Sequence, residues 1–271
     1  MNLTKQLFHM PEAAAEHALR VDNMIDYVHW LMLLLFVGWG AFFVYTLVRF
    51  RRKVNPRADY VGVKSHTSTY LEVAVAVFEA VLLIGFSIPL WAERVAEVPS
   101  PDESVVVRVV AEQFAWNVHY PGKDRRFGRT ATELIDLQSN PVGLDRADPD
   151  AADDITTVNQ LHLPLDRPAV IHLTSKDVIH SFSLPHMRSK QDVIPGLSIP
   201  LWFVPNRTTE EMRERLGDPE FQYEIGCAQL CGLGHYRMRG FLTVHTQAGF
   251  DAWIDEQTEL LSESGEGDFW N

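Results

Sequence analysis

Residues 27–48, YVHWLMLLLFVGWGAFFVYTLV, run for 22 positions without one Asp, Glu, Lys or Arg. As a helix this stretch is about 33 Å long, which matches the hydrocarbon core of a bilayer. A second stretch at residues 69–91, TYLEVAVAVFEAVLLIGFSIPLW, is apolar except for Glu72 and Glu79. Trp30, Trp39, Tyr70 and Trp91 lie mostly near the ends, where amphipathic rings favour the headgroup layer. The sequence therefore predicts a transmembrane helix hairpin over residues 26–92.

Orientation follows from the loop between the spans. Arg49, Arg51, Arg52, Lys53, Arg57 and Lys64 all lie there, so the loop is expected to stay cytoplasmic and both chain ends to lie outside. Residues 1–25 lack the basic, apolar and small-residue succession of a cleavable signal and are expected to form an outer tail.

After Pro99 the texture changes to short β-type runs, among them SVVVRVVAEQFAWNVHY, PAVIHLTSKDVIHSFSLP and RGFLTVHT. Alternation at Val105, Val107 and Val109 fits strands with one buried face. NPVGLDRADPDAADD reads as a surface insertion. Residues 100–250 are thus expected to form an antiparallel barrel or sandwich, and residues 251–271 a C-terminal tail.

Composition bounds the partners. A formal charge of −12 argues against nucleic acid, whose phosphates would repel the chain. The first hundred residues balance 9 acidic against 9 basic, which leaves 27 against 15 from residue 101 onward. That acidic half is either a landing surface for a basic partner or simply a solvated face.

The chain's 2 cysteines lie four positions apart in CAQLCGLGHYRM, residues 227–238, with His235 and Met238 close behind. As a helix, positions 227, 231, 235 and 238 would share a face, but Gly232 and Gly234 each cost about 1 kcal/mol there. A loop between strands suits them better. Thiolate, imidazole and thioether are soft or borderline ligands that favour copper over magnesium or calcium. Structural zinc commonly uses C-x2-C spacing and no methionine. A mononuclear blue-copper centre would leave one cysteine over. Two bridging thiolates between two coppers would use both cysteines and need one more histidine, which His180 in KDVIHSFSLP could supply.

His180, Cys227-x3-Cys231, His235 and Met238, placed after two N-terminal spans, resemble subunit II of the haem–copper cytochrome c oxidases. DVIHSFSLP followed by KQDVIPG, and QFAWNVHYPG, support the likeness, which covers roughly residues 25–250. The resemblance implies a membrane-anchored all-β protein, with a helix hairpin followed by a cupredoxin-like Greek-key β-barrel. It implies a dinuclear CuA centre: Cys227 and Cys231 bridging, His180 and His235 each binding one copper, and Met238 sulfur and the Gln229 backbone carbonyl as weak ligands.

It also implies a magnesium ion at the junction with subunit I. Gln229 stands where the family often has glutamate and offers a hard cation only a neutral amide, so that contribution is expected to be weak here. The family's electron-receiving aromatic is a tryptophan. Here the candidates are Phe114 and Trp116, each of which reads equally well as a core aromatic. Glu72, at the start of the second span, matches a glutamate at the mouth of a proton path into subunit I.

The function so implied is an electron-transfer subunit of a proton-pumping terminal oxidase. It would accept electrons from cytochrome c, or another separate c-type haem donor, and pass them to haem in subunit I for reduction of oxygen to water. Expected partners are subunit I with its haems and CuB, subunit III, the lipid bilayer and, on a larger scale, a respiratory supercomplex. The expected location is a bacterial plasma membrane, with the copper domain on the periplasmic side. A CuA subunit of a nitric oxide or nitrous oxide reductase is the alternative, against which the two spans and Glu72 weigh. A thioredoxin-type copper-insertion factor would not need His235 and Met238. A quinol-oxidase subunit would have lost the copper ligands.

Overall fold

The computed structural model describes residues 7–58, 60–62 and 64–263. Helix α1 (Ala18–Arg49) spans 32 residues and starts well before the uncharged run. Helix α2 (Thr67–Leu82) continues through a π-turn (Leu83–Ser87) into α3 (Ile88–Val95). Pro89 explains the interruption: a proline inside a helix has no N–H to donate and crowds the carbonyl four residues earlier, and a wider turn relieves both. Both helical runs are long and apolar enough to cross a membrane, and the most apolar window of each buries none of its residues within the chain. Arg20 clamps Glu93 with two bonds of 2.5 and 2.6 Å, and Tyr27 meets Phe86 edge-on.

The second unit, residues 11–18 and 98–271, holds ten strands among its described residues: β1 (Val105–Glu112), β2 (Ala115–Tyr120), β3 (Ile155–Val158), β4 (Gln160–Pro164), β5 (Ala169–Ser175), β6 (His180–Leu184), β7 (Ser189–Val193), β8 (Ile199–Phe203), β9 (Tyr223–Cys227) and β10 (Arg239–His245). They form two five-stranded sheets, ordered β3-β2-β1-β5-β8 and β4-β10-β9-β6-β7. The expected alternation is present, with Val107, Val109 and Ala111 of β1 fully buried.

The expectation of antiparallel pairing needs correcting, because β1 runs parallel to β5 and β4 parallel to β10. Alternating burial specifies which face of a strand is inside, not the direction of its neighbour. Between the sheets lies a core that includes Trp116, Phe182, Leu161, Ile171 and Leu173.

Two expected boundaries also move. Residues 11–18 belong to the β-unit rather than to a separate outer tail. Ala14, Ala15 and Ala18 are buried there, Ala14 N–H donates to the His186 carbonyl at 2.8 Å, and Glu12 pairs with Arg215 at 2.8 Å. Alanine buries so little surface that no apolar period marks this segment. At the other end, α5 (Gln247–Glu263) sends Phe250 and Trp253 into the core, so the domain does not stop at residue 250. Residues 264–271 of the expected tail lie outside the described residues.

The insertion is less superficial than its polar sequence implies. Val142, Leu144 and Ala151 make a small cluster of their own against Val110. Beside them, buried Asp154 accepts from Gly128 N–H at 2.8 Å and lies 2.7 Å from His119. A short helix, α4 (Thr209–Leu216), starts with a complete capping box between Thr208 and Glu211.

Candidate metal centre

The site forms where β9 ends and β6 begins. These strands are antiparallel neighbours, with Phe182 opposite Cys227. Cys227 N–H donates to the Met238 carbonyl at 3.3 Å, and Ala228 N–H to the Ser181 carbonyl at 2.9 Å. The sheet register therefore brings His180 to the two cysteines across 47 residues of chain.

CAQLCGLGHYRM leaves the strand at Cys227 as an irregular loop and rejoins the sheet at β10, with one 3-10 turn at His235–Arg237. Gly232 has φ +126°, which only glycine adopts without strain. A Cβ on Gly234 would lie 2.4 Å from the Phe114 ring. Gln113 Nε2 donates to the Cys231 carbonyl at 2.6 Å and ties the loop to the end of β1. The glycines thus let the loop lie flat on Phe114 as well as curl.

The donor atoms converge. Cys227 Sγ lies 3.8 Å from Cys231 Sγ and 3.9 Å from His180 Nδ1. Cys231 Sγ lies 3.6 Å from both His235 Nδ1 and Met238 Sδ. The Gln229 carbonyl oxygen is 3.1 Å from Cys227 Sγ. Sulfur and nitrogen donors on one tetrahedral ion, with bonds near 2.3 and 2.0 Å, stand about 3.5 Å apart. The spacings fit a shared metal, and both thiols are free of a disulfide. The set also divides naturally in two: His180 and the Gln229 carbonyl beside Cys227, His235 and Met238 beside Cys231.

Electrostatics set the protonation of these donors. Burial and the neighbouring Cys227 sulfur push the Cys231 thiol up to about 11, so without a cation the proton stays on sulfur. His180 is wholly buried, and its Nε2 lies 2.9 Å from Asp177 Oδ1. Asp177 also accepts from Val178 N–H at 2.6 Å and Gln113 N–H at 2.7 Å. Desolvation raises the Asp177 carboxyl, but the bonds from His180 and the two amides outweigh it and hold the group below its ordinary value. An ionised Asp177 accepts a hydrogen bond from His180 Nε2–H and leaves Nδ1 with its lone pair toward the sulfurs.

All the predicted ligands, His180, Cys227, Gln229, Cys231, His235 and Met238, meet in one place. Asp177 and Gln113 join the site beyond the residues the sequence predicts, and the Asp-x-x-His spacing in KDVIH is a signal for the first. The two aromatics part company. Phe114 is half-buried at the lip of the site. Trp116 is fully buried, edge-on to Phe182 at 5.2 Å and to His180 at 6.1 Å, so it is a core residue with no face for a docking donor. Tyr236, 85% exposed beside His235, is an aromatic the sequence reading did not single out. Glu72 lies on the second apolar helix, far from the β-unit in sequence, with its side chain exposed.

Residues 105–244 match the family model for the cytochrome c oxidase subunit II periplasmic domain. An alternative cytochrome c oxidase subunit 2 from Bradyrhizobium diazoefficiens is 30% identical over 246 residues, covering 90% of this chain and 83% of that protein. A cytochrome c oxidase subunit 2 from Synechocystis is 26% identical over 94% of this chain and 77% of its own length. Among solved structures, the periplasmic domain of cytochrome oxidase subunit II (CoxB) from Bradyrhizobium japonicum covers 61% of this chain and 99% of its own, with 21% identity and a TM-score of 0.41.

Proposed function

The chain belongs to the cytochrome c oxidase subunit II family, as a subunit of a haem–copper oxidase, and from that premise we propose that it is the electron-receiving subunit of the complex. The single observation that carries this reading is the convergence of two thiols, two imidazoles, a thioether and a carbonyl in one loop-and-strand site. Copper held there by His180, Cys227, Cys231, His235, Met238 and the Gln229 carbonyl would supply one-electron redox chemistry. The protein's part is to keep the donors still, so that little rearrangement accompanies the change of charge. His180 is fixed by Asp177, Cys231 by Gln113 at its carbonyl, and the loop by Phe114 beneath its glycines. Burial of Cys231, Met238 and His180 excludes water from one side.

In this reading the donor is a separate c-type haem protein drawn to the acidic outer half, and the acceptor is haem in subunit I, where oxygen is reduced. Phe114, the half-buried aromatic touching the ligand loop, takes the place of the family's electron-receiving tryptophan. Glu72 is the mouth of a proton route into subunit I. The helices anchor the chain in a bacterial plasma membrane, with the β-unit on the periplasmic side. A magnesium contribution from Gln229 is not part of the proposal.

Copper titration of the purified chain tests the core of it. Two coppers per chain and a purple product with one electron spread over both ions are expected. A blue, one-copper product or a colourless protein rejects the dinuclear assignment.

A further inference from the structure

Glu79 has no part in the function described above. It sits twelve residues past the start of α2 at Thr67, about 18 Å along the axis. The helical run continues to Val95, 29 residues in all, so Glu79 lies deep in an apolar rod. A carboxylate at such depth is costly in hydrocarbon and persists against a polar partner or a water-filled crevice. Among the described residues, no side chain of this chain pairs with Glu79, and it is exposed. Contacts from α1 reach the second helical run at Phe86 and Glu93 and leave Glu79 uncovered.

Its placement is ordered. Glu72 and Glu79 are seven residues apart, which on an α-helix is about 10.5 Å along the axis and within about 20° around it. The π-turn Leu83–Ser87 then lengthens the next turn by one residue. Ser87, eight residues past Glu79, consequently takes the angular place that the seventh would otherwise hold, again within about 20° of the stripe. Without that turn the Ser87 hydroxyl would lie roughly 80° away. Two carboxyls and a hydroxyl thus share one face of a membrane-crossing helix, climbing from its Thr67 end.

We propose that Glu79 is a second proton-holding group on the route that Glu72 opens, on a face sealed by a neighbouring membrane subunit. This rests on the reading of Glu72 as the mouth. A proton taken up at Glu72 reaches the Glu79 carboxylate through water or polar groups of the neighbouring subunit and forms an O–H bond there. That bond breaks as the proton moves inward toward the oxygen-reducing site, and the carboxylate is restored. The gap of about 10.5 Å between the carboxyls requires such intermediaries.

The test uses the assembled oxidase in sealed vesicles carrying E79Q, E79D or E72Q. It follows copper reduction by a small-molecule donor, oxygen consumption, proton uptake with a pH dye, and haem content. E79Q is expected to slow oxygen consumption and proton uptake roughly tenfold or more, with copper reduction unchanged, while E79D keeps most of both. E79Q running at the parent rate overturns the proposal. Equal losses in E79Q and E79D accompanied by falling haem content identify a packing contact and overturn it too. A slow E79Q beside a normal E72Q leaves Glu79 as a proton carrier and removes Glu72 as its mouth. A slow E72Q beside a normal E79Q keeps the mouth and removes Glu79.

Discussion

Asp177 Oδ1 stands 2.9 Å from His180 Nε2, on the ring edge opposite the nitrogen that faces Cys227. The carboxylate is itself held by two backbone amides, so it orients the imidazole rather than following it. Replacing Asp177 by Ala frees the ring to rotate and to change tautomer. Copper affinity should fall by roughly 10- to 100-fold in a competition titration against a chelator. An Asp177→Ala protein that binds copper as tightly as the parent would show that the carboxylate has no orienting role.

Gly234 rests on Phe114. Alanine there would bring a methyl within 2.4 Å of the ring, so either the loop or the ring must shift. Gly234→Ala is expected to destabilise the fold by about 1–3 kcal/mol in denaturant unfolding. In a Phe114→Ala background the clash has no partner, and the same substitution should cost much less. Equal costs in both backgrounds would mean that the contact does not constrain the loop.

Cys231 is buried between Cys227, His235 and Met238. With Cys231→Ser, one of the two sulfurs proposed to bridge the coppers is gone. The electron spin resonance signal of an electron delocalised over two coppers should vanish, leaving a single-copper spectrum or none. Persistence of the delocalised signal contradicts a bridging role for this sulfur.

His162 Nδ1 and His245 Nε2 are 2.8 Å apart on neighbouring strands, and Trp253 of α5 stacks on His162 at 4.3 Å. Burial, then the adjacent His245, push His162 down to about 4, and burial lowers His245 as well. Both imidazoles are therefore harder to protonate folded than unfolded, where the ordinary value is 6.5. The folded state binds fewer protons, so this contribution to stability is complete above about pH 6.5 and is lost as pH falls toward 4. Denaturant midpoints of the full chain in detergent should drop across that window, and His162→Gln should flatten the slope. An equally steep slope in the variant would assign the pH dependence to other groups.

Much of this protein was legible in one dimension. An uncharged run of 22 residues can be accommodated in few ways, and both apolar stretches do form helices long enough to cross a membrane. The ligand loop was equally plain, because Cys227, Gln229, Cys231, His235 and Met238 are local, and the chemistry of their donor atoms needs no fold to be recognised. His180 could be nominated for its residue type and its place at a strand end.

Tertiary structure decided whatever depends on which strands become neighbours. Pairing of β6 with β9 carries His180 to the sulfurs, and the ends of β1 and β5 deliver Gln113 and Asp177 to hold them. Burial of Trp116 and half-exposure of Phe114, two positions apart, follow from what the fold packs over each, and the sequence does not announce that. The parallel pairs β1/β5 and β4/β10, and the docking of the alanine segment against His186 and Val204, were likewise invisible. The physical reason is common to all of these. Alternation and donor chemistry are properties of single residues, whereas register, strand direction and close contact are properties of pairs that only the folded chain brings together.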